Sequence, residues 1–470
     1  MSPRAFVAVS VVVLAYLGLS TSASGSQLDT SFGDGGLATY QHGGTIRYGH
    51  FLDEEVGQAK ALAIDSQGRI LVGGGSGAAM LLLRYLPSGV LDPSFGVGGV
   101  LRFFEYQTTG PDFADPDVYA PRVKAIAPRP DGSLVVVAQT NPVGYAAGSQ
   151  RDLIFWITAS GELDTSNGVP FSERVGTMSF SMPRSAAVDA DGNIFIAGAV
   201  VVGTDYYGSP TRYAGYVMKR DPLGEWFEPF GGNYAPGGEP WQGIRTLTPV
   251  GRPPYSAYTG LKLLSGGKIL TGGHHNNRLL VSRLTARGKL DRSFGPWRGK
   301  KRRHNKGATI VNFGGKKCRC TNNGDITTDR RGRIYQVGVS THPYKNRIAT
   351  IVVVRYRHNG SVDRTFGRNG IVKAIRKPWT RATSIAIQKN GRIVVSARYG
   401  YDDTPKFMVA RFMPDGKLDR SFFKRGFYVD HLGDASAAEK VIVDHRGRIV
   451  VAGGYAQSDT GNFVVERLIP

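Results

Sequence analysis

The segment Trp297-Arg298-Gly299-Lys300-Lys301-Arg302-Arg303-His304-Asn305-Lys306, continuing to Lys316-Lys317-Cys318-Arg319, gathers cations without an acid. Nine Lys and Arg residues lie between Pro296 and Cys320. Such a density suits a polyanion, because each neutralised charge releases a bound counterion. The bland reading is a solvated loop. The candidate contacts are Lys300, Lys301, Arg302, Arg303, Lys306, Lys316, Lys317 and Arg319. The formal charge of the chain is +22 and very uneven. Residues 1–250 carry 16 Lys and Arg against 23 acids, and residues 251–470 carry 43 against 14. That imbalance predicts one lasting positive flank. Its expected partner is an anionic polymer (a wall phosphate polymer, an acidic glycan, an anionic lipid surface or extracellular DNA) or an acidic protein.

Other chemistry is thinner. His274-His275 stand together, but adjacent strand residues point to opposite faces and rarely share one ion. Cys318 and Cys320 form the one cysteine pair, poorly spaced for a disulfide on a strand and set among cations that repel a metal. An Asp recurs before a Ser/Thr-Phe-Gly turn, at Asp29, Asp92, Asp291 and Asp363. A ring of ligands is conceivable, yet Asp in that place accepts turn N–H groups. Tyr234, Trp241, Tyr255 and Tyr258 sit in a long stretch rich in Gly and Pro. They could stack on sugars or cover their own strands. Only four acids occur between residues 251 and 400, namely Asp291, Asp325, Asp329 and Asp363, which weakens an acid–base site there. No catalytic residue, metal ligand or cofactor site is expected.

A repeat must position these residues. Each unit has an apolar strand, a turn ending in Gly, and a second apolar strand, as in Ala61-Leu62-Ala63-Ile64-Asp65-Ser66-Gln67-Gly68-Arg69-Ile70-Leu71-Val72. The same grammar recurs at Gly132, Gly192, Gly267, Gly332, Gly391 and Gly447. A third strand follows, such as Met80 to Tyr85, then Leu-Asp-x-Ser/Thr-Phe-Gly and a fourth strand. Asn167, Glu228-Pro229-Phe230-Gly231 and Phe423 depart from the pattern. Seven units of four short strands, without amphipathic helices, predict an all-β closed propeller of seven four-stranded blades.

The last unit stops at Arg467-Leu468-Ile469-Pro470, and its missing turn stands at Gln27-Leu28-Asp29-Thr30-Ser31-Phe32-Gly33. The N-terminal segment is therefore expected to complete the last blade and cover its edge. The series Gly-Arg-Ile-Val-Val, then Arg-Phe-Met-Pro-Asp-Gly-Lys-Leu-Asp-Arg-Ser-Phe, resembles the delta-60 repeat of exported bacterial proteins. The resemblance covers nearly all of residues 27–470 and implies a propeller-like fold in a bacterial envelope or extracellular setting. It carries no catalytic residues with it. Arg4, the apolar run Ala5 to Leu19 and small residues to Ser26 predict a signal peptide over 1–24, ahead of one propeller domain over 25–470. The run is short for a membrane span, which needs roughly 20 residues. The expectation is a secreted or envelope-associated monomer that binds without catalysis. A propeller enzyme (hydrolase, lactonase or quinoprotein) with a central-channel site is the alternative.

Overall fold

Short runs of Val, Ile, Leu and Phe, each closed by a Gly turn, set the backbone. A run such as Ile393-Val394-Val395 packs well on a pleated surface, and both its faces are buried. The turn glycines supply the left-handed conformation a tight hairpin requires, as at Gly68 (φ 79°) and Gly391 (φ 83°). A computed structural model describes residues 27–45, 58–75, 79–103, 118–142, 152–166, 171–173, 181–204, 210–225, 230–234, 240–242, 244–247, 256–295, 307–313, 319–321, 325–341, 348–401, 404–458 and 460–470. Among these residues there is no α-helix, and one three-residue 3₁₀ turn lies at Ser265–Gly267.

The strands form seven antiparallel blades. Their inner strands are Gln58–Ile64, Val118–Pro128, Ser181–Val188, Ser256–Leu263, the split pair Arg319–Thr321 and Ile326–Thr328, Arg381–Ile387, and Ala435–Val443. Each inner strand touches the next, and the seventh touches the first, so the ring is closed around a central channel. Blade three carries an added ribbon, Gly231–Tyr234 paired with Pro240–Gln242. The outer strand of blade seven is Leu37–Thr45, paired with Thr460–Leu468 in a register that sets Leu37 against Glu466 and Tyr40 against Phe463. Leu28 bridges Leu468, so the first and last described residues lie side by side.

The recurring Asp is a latch. In blade one Arg84 donates to Asp92 (2.8 Å) and Ser94 (2.9 Å), and its guanidinium lies 4.5 Å over Phe95. Its remaining amine reaches the carbonyl of Ala159 in blade two (2.6 Å). Arg283, Arg355, Arg411 and Arg467 repeat the pairing with Asp291, Asp363, Asp419 and Asp29. In blade seven the Arg comes from the end of the sequence, and the Asp and Phe32 come from its beginning. The motif recurs in five blades, and in four of them the arginine also reaches a carbonyl of the next blade, Ala159, His358, Pro414 or Pro87. Where the pattern breaks, the geometry compensates. Trp156 stands in the Arg position of blade two and donates its indole N–H to Pro222 of blade three (3.3 Å). Phe230 of the divergent third copy is still fully buried against Phe195. Phe423 takes the left-handed φ (48°) that Gly holds in other copies and stacks on Phe422 and Tyr428. Asn167 lies outside the described residues.

Among the polar side chains buried in the strands, one carboxyl stands out. Glu466 is fully buried on the third strand of blade seven, in the place of Leu83, Phe155 and Val354 in other blades. It faces blade six, where Tyr428 donates to Asp430 (2.6 Å). Burial first, then the neighbouring Asp430, push its carboxyl well above the ordinary value.

Candidate functional site at the channel mouth

Six of the seven inner strands carry a β-bulge at one place, and in the seventh the described strands Arg319–Thr321 and Ile326–Thr328 flank it. A bulge leaves one residue outside the ladder and re-aims its side chain. The extra residue is Lys60 in blade one, Lys124 in two, Arg184 in three, Thr259 in four, Thr383 in six and Glu439 in seven. All six line the same recess at the mouth of the channel. Arg381 and Arg398 of blade six and Lys440 of blade seven join them, giving six cations and one acid around the opening.

The acids are already engaged. Glu439 lies 3.0 Å from Lys60 and 3.9 Å from Arg398. One residue deeper, Asp325 accepts the Ser384 hydroxyl (2.8 Å) and lies 3.9 Å from Lys440. These contacts cross from blade to blade, so the rim is built of side chains held by their neighbours. Below it the channel encloses about 460 Å³ and is lined by all seven inner strands. That volume falls in the range small-molecule sites occupy, roughly 300–1,000 Å³.

The expected binding residues fare differently. Lys300, Lys301, Arg302, Arg303, Lys306, Lys316 and Lys317 lie outside the described residues. Arg319 starts the strand Arg319–Thr321, which pairs with Val339 to Thr341 on blade five. Cys320 is on that strand and Cys318 lies outside the described residues. His274 and His275 end the second strand of blade four, opposite Leu279 and Arg278. Burial, with Arg278 beside it, pushes the His275 imidazole below its usual value. Among the described residues no three His, Cys, Asp or Glu side chains are placed to share a metal ion. Tyr258 is a core residue, fully buried with its hydroxyl toward Ser282 (3.3 Å), and offers no face to a ligand. Trp241 lies on the added ribbon of blade three, and Tyr255 lies outside the described residues.

Sequence reasoning placed positive charge in the second half of the chain and missed the rim. Three of its six cations, Lys60, Lys124 and Arg184, come from the net-acidic first half. A signal was there. Each bulged residue stands eight positions before its hairpin glycine, as Lys60 before Gly68 and Glu439 before Gly447.

The model of the family described as "Domain of unknown function (DUF5122) beta-propeller" matches residues 66–95 and 388–422. No curated protein matches the chain. Among solved structures the chain is similar to a polysaccharide lyase, a PL25 ulvan lyase, at 11% identity over 92% of this chain and 94% of that chain, TM-score 0.47. It is also similar to a glucose dehydrogenase (10%, 91% and 99%, TM-score 0.39) and to a gluconolactonase from Xanthomonas campestris (10%, 88% and 87%, TM-score 0.34). Identities this low carry no activity across. The family match and the seven blades agree on one statement: the chain is a β-propeller repeat protein.

Proposed function

We propose that this protein is a non-catalytic binding propeller that engages an anionic polymer at the cationic mouth of its channel. The observation that carries the reading is the rim, where six cations and one acid from five blades converge on one recess. Cations in a concave, partly dehydrated mouth attract an anion more strongly than the same charges spread on open surface. The basic segment from Lys300 to Arg319 stays within this reading as a second contact. The delta-60 resemblance and the apolar run Ala5 to Leu19 support an exported bacterial setting. Among the described residues no helix is long and apolar enough to cross a membrane.

The test is retention of the full-length protein on immobilised polyphosphate and polyuronate across a salt series. Retention is expected to fall steeply with salt. The variant Lys124→Ser/Arg184→Ser is expected to weaken it about tenfold and to lower the salt slope by roughly one per lost contact, with thermal stability little changed. Retention unaffected by that variant but lost in Lys300→Ser/Lys301→Ser/Arg302→Ser/Arg303→Ser would move the site to the basic segment. No retention of any form at low salt would end the anion reading. A second reading, a channel enzyme, draws on Asp325 and Glu439, two channel carboxylates from blades five and seven. Shortening of the polyuronate on incubation, lost in Glu439→Gln, would favour it.

A further inference from the structure

The wall beneath the rim narrows the choice of anion. The throat is lined by residues such as Leu62, Ile126, Leu261, Ile385 and Val441, which suggests an apolar tube. The packing shows otherwise. Each of these side chains belongs to a cluster between two blades: Leu62 with Val450 and Phe463, Ile126 with Leu71 and Leu82, Leu261 with Phe195, Ile385 with Val337 and Val353, and Val441 with Val394 and Val409. Their side chains are spent sideways, blade against blade. What remains toward the axis is backbone. Each inner strand is the end strand of its sheet, so among the described residues one edge of it pairs with no other strand and faces the channel. Such an edge presents alternating N–H and C=O groups that seek partners. Hydroxyls of Ser185, Thr327 and Ser384 lie along the same wall, that of Ser185 accepting the Leu261 N–H (3.2 Å) and that of Ser384 donating to Asp325 (2.8 Å).

A throat of backbone edges and hydroxyls under a cationic rim matches a ligand with many hydroxyls and a negative group. It does not match an apolar tail, which would leave those edges dry and unsatisfied. Neither lining includes an aromatic ring among the described residues, so successive nucleobases would find no stacking platform. We infer, building on the anion-binding reading, that the channel takes the end of an acidic oligosaccharide. The carboxylate or sulfate of the terminal sugar meets Arg184 and Lys440 at the rim, and its hydroxyls exchange hydrogen bonds with the strand edges below.

The experiment titrates the full-length protein calorimetrically with four probes. These are a tetragalacturonate, a long polygalacturonate, a polyacrylate matched to the tetramer in charge, and a single-stranded oligonucleotide of the same charge. The tetragalacturonate is expected to bind at least tenfold more tightly than polyacrylate, with one protein per chain for both short and long uronate. Arg184→Ser and, separately, Lys440→Gln are each expected to weaken uronate binding several-fold without a change in melting temperature. Two variants on different blades guard against one that fails to fold. Equal binding of polyacrylate would overturn the sugar assignment and leave the anion reading standing. Several proteins per long uronate chain would replace end capture by tracking along the polymer. Tighter binding of the oligonucleotide would make nucleic acid the partner. Absence of binding to all four probes would sink this inference and the anion reading together.

Discussion

Replacing Asp419 by Ala is expected to destabilise the propeller by about 3–5 kcal/mol, the range found when one partner of a buried ion pair is removed. Asp419 is 3% exposed and receives Arg411 (2.8 Å), Arg392 (2.9 Å) and the Ser421 hydroxyl on its two oxygens. Without it, Arg411, itself 2% exposed, keeps its charge above Phe422 with no counter-ion close by. Burial alone would raise the Asp419 carboxyl, but the Ser421 hydroxyl and Arg411 outweigh it and hold it below the ordinary value. A carboxyl lowered in the folded state stabilises fully above its unfolded value of 3.8 and loses that contribution as pH falls through the folded value. Urea midpoints at pH 7 and pH 3 check both halves. Asp419→Ala should lose most at pH 7 and less at pH 3, the difference narrowing as pH falls below 3.8. Asp419→Asn, which keeps the shape, should lose less. An unchanged midpoint at pH 7 would mean that the latch contributes nothing to stability.

The opposite sign is expected at Glu466. Its folded carboxyl is raised well above 4.5 by burial and by Asp430, so above that value the folded state holds its proton more firmly than the unfolded chain does. Stability tied to such a group is complete below about pH 4.5 and declines as pH rises toward the folded value. Glu466→Leu restores the apolar residue that Leu83 and Val354 supply in their blades. At pH 8 it is expected to stabilise by about 1–3 kcal/mol, the usual cost of burying a polar group without full compensation. At pH 4 the gain should shrink. Glu466→Gln should flatten the pH dependence while gaining less, since its amide is still buried. Melting curves of the three proteins between pH 4 and pH 8 decide the matter. A Leu variant that melts below the parent at pH 8 would show instead that the Glu466–Asp430–Tyr428 group binds blade six to blade seven.

The blades were legible in the sequence because their determinants are local. A Gly between two apolar runs, or an Asp two residues before a Ser, acts within one hairpin whatever the rest of the ring does. Ser94, for example, bonds Asp92 through both its N–H and its hydroxyl. The rim was not legible in the same way. Lys60 and Glu439 are 379 positions apart in the chain and meet at 3.0 Å only because the ring brings blade seven back to blade one. Nor does Lys124 look unusual between Val123 and Ala125 until the bulge sets it outside the ladder. The basic segment stood out for the converse reason. Charge crowded into one stretch is easy to see, whereas charge collected from many blades is visible only in three dimensions.

The bulge that recurs in the inner strands separates two demands that usually compete. A residue inside the ladder is answerable to the packing of two blades, as Ala61 and Leu62 are. The bulged residue beside them lies outside that apolar packing and is tied to its neighbours by polar contacts, as Lys60 is to Glu439 and Thr383 to the Ala438 carbonyl. Six such places among the described residues surround one axis, and they hold chemically diverse side chains (Lys, Arg, Thr and Glu) on backbones of the same shape. Like the tumblers of a lock, each can be recut while the apolar cylinder keeps its packing, provided that its polar partner across the blades changes with it. A propeller of this build could therefore change what it recognises one blade at a time, each change made at small cost to folding.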